Sequence, residues 1–461
     1  MEKIKSLLKF DKTKTTVTGC NKGATTIVVP EGVKRIGDSA FKKCEFLTSI
    51  EIPDGVEEIG ENAFCDCTSL ASIEIPDSVT SIGDGAFSGC TALTSIEIPN
   101  TVEYIGWETF YDCVSLAMIE IPDSVTRIGR NAFDGCTSLT TIEIPDSVKE
   151  IHSHAFDGCT ALNTIKIPDS VTEIGNHAFE GCTSLTTIKI PNSVKKINCA
   201  AFEYCTALTT IEIPDSVKEI QSHAFDGCTS LTTIEIPDSV KKIGNEAFGG
   251  CSSLSTIKIP DGVSKIEDAV FADCKALTSI DIPNRVTKIG ENAFEYCTAL
   301  TTIKIPDKVK EITDYAFSDC TALTTIGIPN SVTEIGNRAF YGCSSLISII
   351  VAEDNPCFSS VDGILFNKEK TKILKYPEGK TSKKYSLPDS VTEIGMYAFE
   401  GCKSLTTIKI PDSVTSIERW AFCNCPTLTK IKIPNSVKYI GYEAFKGCSS
   451  LTTAEIPNCI E

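Results

Sequence analysis

The side chains of this chain best suited to chemistry are four histidines and twenty-three cysteines. His154, His177 and His223 fall on multiples of one spacing, 23 residues, with His152 and Cys199 beside them. If units of that length stack, His152, His154, His177 and Cys199 come within reach of one ion, and imidazole with thiolate is a zinc-type donor set. The competing explanation is a variable surface position that drifted to His as units were copied. On that explanation, which the sequence favours, no metal and no cofactor are expected. Catalysis finds no foothold either. The sequence contains no Gly-rich phosphate loop, nucleophile elbow or His-Glu-x-x-His. Four histidines are thin for acid–base work, so a non-enzymatic protein is expected.

Seventeen of the cysteines share one column, Cys44 to Cys448. Strands stack about 4.8 Å apart, whereas a disulfide holds its Cβ atoms about 3.8 Å apart. A column of singletons therefore reads as reduced, buried thiols acting as small hydrophobes, which fits a reducing setting.

The elements that place these residues are repeats. Prolines recur every 23 residues from Pro30 to Pro329, slip once, and resume at Pro388, Pro411, Pro434 and Pro457. Such a period calls for a stacked architecture before any local reading. Around each Pro run columns of Val, Ile, Ala-Phe, Cys and Leu; Ala is replaced only at Thr109 and Val270. Leu-x-x-Ile-x-Ile-Pro, as in Leu185 to Pro191, is a short strand with two inward side chains that Pro terminates. Ala-Phe-x-x-Cys is too short for a free α-helix and predicts a single helical or 3-10 turn. Gly135, Gly181 and Asp319, just before their cysteines, suit a left-handed exit. One unit cannot cover its own Phe and Leu; stacking identical units buries them, at about 1.5–3 kcal/mol per side chain.

With its Pro and its Ile-Gly-x-x-Ala-Phe-x-x-Cys tail, the unit resembles the BspA-like, Treponema-type leucine-rich repeat. The resemblance implies a repeat solenoid: a leucine-rich-repeat arc with a parallel β-sheet on the concave face, and short helical or 3-10 turns and loops on the convex face. It also implies a protein-binding scaffold, a surface or secreted adhesin whose ligand is a protein, basic or displayed on a host surface. An intracellular interaction scaffold is the alternative.

Between the two inward Ile of each strand stands one outward residue. In order these begin Glu51, Glu74, Glu97, Glu120, Glu143, Lys166, Lys189, Glu212 and Glu235. Five Glu in line repel one another. They read either as a docking surface for a basic partner or as solvated charges kept by duplication. Aromatic candidates are Tyr104, Trp107 and Tyr111 in one unit and Trp420, Tyr439 and Tyr442 near the end, all placed in the turn half. A net charge of −18 disfavours nucleic acid and anionic membranes. No apolar run approaches the ~20 residues of a membrane span, and the first residues lack a signal-peptide core. Location is thus open: the resemblance favours the surface, the missing export segment the interior.

Along the chain, 1–29 reads as an N-terminal cap and 30–461 as the solenoid, interrupted at about 352–387. Inside the interruption two apolar runs flank Asn367-Lys368-Glu369-Lys370, the pattern of a β-hairpin. Its lysines suggest either a protruding basic patch or an edge protected against strand addition. A monomer is expected, with a tail-to-tail dimer through residues 420–461 as the alternative.

Overall fold

A computed structural model of the protein describes residues 7–455, with the backbone alone for Ala454 and Glu455. The chain forms two compact units, Met1–Val240 and Lys241–Glu461. Both are parallel β-solenoids, and among the described residues there is no helix.

In the first unit each turn of the solenoid contributes strands to ladders whose partners lie one period apart. One ladder is the expected Leu-x-x-Ile-x-Ile strand: Ser95–Glu97 pairs with Met118–Glu120, and Thr141–Glu143 with Thr164–Lys166. The other is made of two-residue strands that precede the Ala-Phe turn: Tyr104–Ile105, Arg127–Ile128, Glu150–Ile151 and Glu173–Ile174 stack in parallel. Two residues are too few to show alternation, so sequence periodicity does not reveal this second ladder. At the start of the unit Leu8–Phe10 pairs antiparallel with Thr16–Cys20, whose Thr16 and Val17 then pair in parallel with Arg35–Ile36.

The third side of each rung holds Ala-Phe-x-x-Cys. Instead of a helical or 3-10 turn, it is a chain of β-turns. Ala155 N–H donates to His152 O (3.3 Å), Asp157 to His154 (3.4 Å) and Cys159 to Phe156 (3.3 Å). The intervening amides of His154, Phe156 and Gly158 donate to Asn176, Ala178 and Glu180 of the next rung at 2.8–2.9 Å. Left-handed residues at His154 (φ 57°) and Gly158 (φ 65°) enforce the alternation, because a helix cannot continue through them. Gly135, Gly181 and Asp319 are left-handed as expected. Asp-Ser after the Pro is tied down too: Ser147 Oγ donates to Val125 O of the rung before (2.6 Å).

Inside, the phenylalanines stack. From Phe41 to Phe225 successive ring centroids lie 5.0–5.7 Å apart and the rings are within 10° of parallel. The cysteines line the same core, but not only as hydrophobes. Column thiols donate to the carbonyl of the Phe in the preceding rung, as in Cys136 Sγ to Phe110 O (3.1 Å), Cys159 to Phe133 (3.2 Å) and Cys182 to Phe156 (3.2 Å). A weak donor is still better than leaving a buried carbonyl with one partner fewer. One cysteine departs from the expected reduced column. Cys44 is bonded to Cys20, which belongs to the opening strand rather than to a rung and so escapes the fixed spacing of the column. The other sixteen column cysteines are outside any disulfide, all buried except half-buried Cys448.

The second unit repeats the design in Ser279–Ile280 against Thr302–Ile303 and Lys288–Ile289 against Glu311–Ile312. It then departs from the period. Phe358–Val361, Ile364–Asn367 and Lys372–Lys375 form an antiparallel meander, and the last of these pairs in parallel with Glu393–Ile394. The hairpin does not protrude: Ile364, Phe366 and Ile373 are core. Tyr376 takes the Phe position, its ring 5.3 Å from that of Phe399. Its lysines are divided between roles. Lys375 is buried against Glu378 (2.9 Å), Lys372 pairs with Glu393, and Lys368 caps Glu353 O. Thr453–Glu455 pairs with Lys430–Lys432. Of the segment 420–461 considered for a tail-to-tail dimer, residues 456–461 lie outside the described residues.

Candidate functional site

Three surfaces carry the residues singled out by sequence. The first is the outward row of the longer strands. In Ser95–Glu97, Met118–Glu120 and Thr141–Glu143 the middle Ile is buried and both neighbours are exposed. Register sets Glu97 beside Glu120, Glu143 beside Lys166, Lys189 beside Glu212, and Glu212 beside Glu235. Glu51 lies at the end of Ser49–Glu51 opposite Val28, and Glu74 is exposed where its rung has no strand at the Ile-x-Ile position. Lys189 and Glu212 approach to 3.7 Å, both largely in solvent. Glu51, Glu74, Glu97, Glu120 and Glu143 make no ion pair among the described residues. Glu143 has Lys166 opposite it in register, whereas Glu97 and Glu120 face each other.

The aromatic candidates separate. Tyr104 and Tyr439 stand on the short second-ladder strands, not in the turn half, because those strands were invisible to periodicity. Trp107 (61% exposed) and half-buried Tyr111 do lie in the turns. Trp420 and Tyr442 meet edge to face at 6.0 Å, and Trp420 stacks on Tyr397 at 5.2 Å. Tyr397 was missed, although it sits one period before Trp420 in the same column. Arg338 stacks over Tyr397 (4.2 Å) and Tyr341 (5.2 Å) and forks onto buried Glu400 at 2.6 and 2.9 Å.

The histidine column is the third surface. His154 and His177 stack with ring centroids 4.5 Å apart and planes 2° from parallel. Each is bonded through Nδ1 to the acid three residues on, His154 to Asp157 (3.0 Å) and His177 to Glu180 (2.6 Å). His223 repeats this with Asp226 (3.3 Å). His152 instead turns to Glu150 (3.2 Å), and Cys199 is half-buried; neither joins the group of converging donor atoms formed by His154, His177 and Glu180. The acids beside the histidines continue through Asp134 and Glu203. Burial pushes the Asp134 carboxyl up to about 6, with the Asp157 charge adding to it and the Asn131 amide opposing it. Burial, then the neighbouring Glu180, also raises Asp157; Glu203 is raised by burial, then by Glu180 and Asp226.

The repeat geometry has counterparts. The BspA type leucine rich repeat region matches residues 18–140, 128–255, 241–362 and 371–461. The chain belongs to the BspA-type leucine-rich repeat family. Among solved structures, a leucine-rich repeat protein from Bacteroides ovatus is 26% identical, with 97% of this chain and 92% of that one covered and a TM-score of 0.56. One from Eubacterium ventriosum is 25% identical over 71% of this chain and 89% of that one, with a TM-score of 0.48. The pneumococcal vaccine antigen PcpA is 24% identical over 58% and 71%, with a TM-score of 0.44. No curated protein matches. In this BspA-type chain the repeat fixes the core columns and leaves the outward positions free to differ from rung to rung. That is the property a protein-interaction scaffold needs. No helix among the described residues is long and apolar enough to cross a membrane.

Proposed function

We propose that this chain is a non-enzymatic protein-binding scaffold, displayed at a cell surface or secreted, that docks a basic segment of a protein partner on the row Glu51 to Glu143. The observation that carries the reading is the unpaired acidic row itself, with Glu97 and Glu120 side by side in register. A Lys/Arg-bearing partner relieves repulsion that the fold leaves standing. Lys166, Lys189, Glu212 and Glu235 extend the row with mixed charge and set where the basic segment ends. Tyr104, Trp107 and Tyr111 in the first unit, and Trp420, Tyr439 and Tyr442 in the second, are secondary contact candidates, since aromatic side chains dominate interface energetics. Residues 1–29 serve as the cap of the solenoid 30–461, and about 352–387 as its variant repeat.

The test is fluorescence anisotropy of a labelled Lys/Arg-rich peptide, and of its Glu-rich counterpart, against the full chain. The basic peptide should bind, more weakly as salt rises, and Glu74→Gln, Glu97→Gln and Glu120→Gln together should abolish the preference. Equal binding of both peptides, or no effect of the triple substitution, would remove the site from this row. The many buried thiols outside any disulfide favour a second reading, an intracellular scaffold in a reducing compartment. Fractionation of the native host separates the two.

A further inference from the structure

The column of left-handed residues holds chemistry that a protein-docking face does not use. His154 and His177 both have φ 57°, so adjacent rungs aim their imidazoles the same way and the rings stack. Asp157 and Glu180 follow at the same offset, and one ligand atom each from His154, His177 and Glu180 lies within 4.8 Å of the others. We propose that His154, His177 and Glu180 form a binding site for a zinc-class divalent cation on the turn face of the first unit.

The donor chemistry selects the ion. Two imidazole nitrogens with one carboxylate oxygen are a set that zinc accepts, with a fourth position left for water. Calcium and magnesium prefer all-oxygen shells, and thiolate-seeking ions find no sulfur in the group. Zinc bonds of about 2.0–2.1 Å put tetrahedral donors about 3.3 Å apart, so His177 Nδ1 and Glu180, now at 2.6 Å, must part slightly, and the two parallel rings must tilt out of their stack so that the ion lies in both ring planes. The three side chains are partly exposed and can rotate that far. Asp157, bonded to His154 Nδ1, supplies a second carboxylate at the same point, either as the fourth ligand or as the partner that orients the ring. The bound ion would link successive rungs and neutralise the adjoining acids. Glu203, His223 and Asp226 form a second group of the same kind. With one imidazole fewer, it should bind more weakly.

The chain supplies its own conservative variants, because Asn131 and Asn292 occupy the same column with φ 55°. His154→Asn and His177→Asn therefore keep the backbone. The full chain, kept reduced, would be titrated with Co²⁺ followed by absorbance and then competed with Zn²⁺. One tight equivalent is expected, showing ligand-field bands of nitrogen and oxygen ligation without sulfur-to-cobalt charge transfer. His154→Asn and His177→Asn should each weaken it about tenfold or more, and Zn²⁺ should raise the melting temperature of the parent but not of His177→Asn. His152→Asn should leave the tight equivalent unchanged, and His223→Asn should remove only the weaker one. Affinity unchanged in both His154→Asn and His177→Asn, a strong charge-transfer band, or no saturable binding would each overturn the site.

Discussion

The rungs around Phe202 and the interruption around Tyr376 solve the same problem by opposite means. At Phe202 the core is periodic and apolar. Its ring lies 5.6 Å from Phe179 and 5.6 Å from Phe225, and the charges of these rungs stay outside. At Tyr376 the period is lost, and charges move in. Lys375 is buried against Glu378, whose other contact is the Gly342 amide (2.9 Å); Glu400, also buried, holds the guanidinium of Arg338. A strict repeat satisfies its backbone groups by copying the rung below. Where the copy fails, side chains must satisfy them, and buried ions need matched partners. Periodicity thus makes the core tolerant of varied surfaces, while its interruption makes the core depend on a few specific pairs.

The largest effect is expected on the periodic side. Phe202→Ala opens a cavity against both neighbouring rings and should cost about 3–5 kcal/mol, read by urea unfolding of the full chain. An unchanged midpoint would mean that the ring stack is not what holds these rungs. On the aperiodic side, Glu378→Gln leaves Lys375 buried without its counter-charge and should cost about 3 kcal/mol. Adding Lys375→Met should recover much of that loss. If the double variant is no better than the single one, the pair contributes through packing rather than charge.

Much of the periodic half was legible in the sequence, and little of the other. Pro145, Phe156, Cys159 and Leu162 repeat on a fixed grid, so strand and core follow from spacing; the type of turn does not, and the family comes from the resemblance of the Ile-Gly-x-x-Ala-Phe-x-x-Cys tail. The second ladder does not follow from spacing either, because Glu150–Ile151 offers a single inward residue. The separation of Arg338 from Glu400 is no multiple of the period, and Tyr376 lacks the Ala that marks its column. In the histidine cluster the ligand types were legible but the set was not. Glu180 and Asp157 stand three residues after their histidines and meet them across turns that are left-handed at His154 and His177. His152 turns to Glu150 instead, and Cys199 is not among the converging donors.

The thiol column offers a finer distinction. If Cys136 were only a small hydrophobe, Cys136→Ala would cost little beyond the sulfur's buried area. Because its thiol donates to Phe110 O, the substitution should cost about 1–2 kcal/mol. At Cys402, where the corresponding contact to Tyr376 O is long at 4.0 Å, alanine should cost less. Equal losses at the two positions would reduce the column to its packing role.

The smallest effect concerns a charge held at the edge of the periodic core. Burial lifts the Asp134 carboxyl to about 6, above the roughly 3.9 of an unfolded chain. Between those values the folded protein binds more protons than the unfolded one. The stability contributed by this group is therefore fully present below about pH 4 and is lost as pH rises towards 6. Asn at this position keeps the size and removes the titration. The carboxyl is only half-buried, so solvent screening reduces the full linkage of that shift to about 1 kcal/mol. Asp134→Asn should accordingly be about 1 kcal/mol more stable than the parent at pH 7 and no more stable at pH 4. Part of the slope will remain, because Asp157 and Glu203 are raised as well. Asp134 also accepts the Asn131 amide at 2.6 Å. The amide oxygen introduced by the substitution would still accept it, so no hydrogen bond is lost to obscure the comparison. Urea midpoints for the two proteins at pH 4, 5, 6 and 7 decide it. Parallel curves would show that the acid column is solvated like the strand-face glutamates, and the contrast between an exposed acidic row and a half-buried one would collapse.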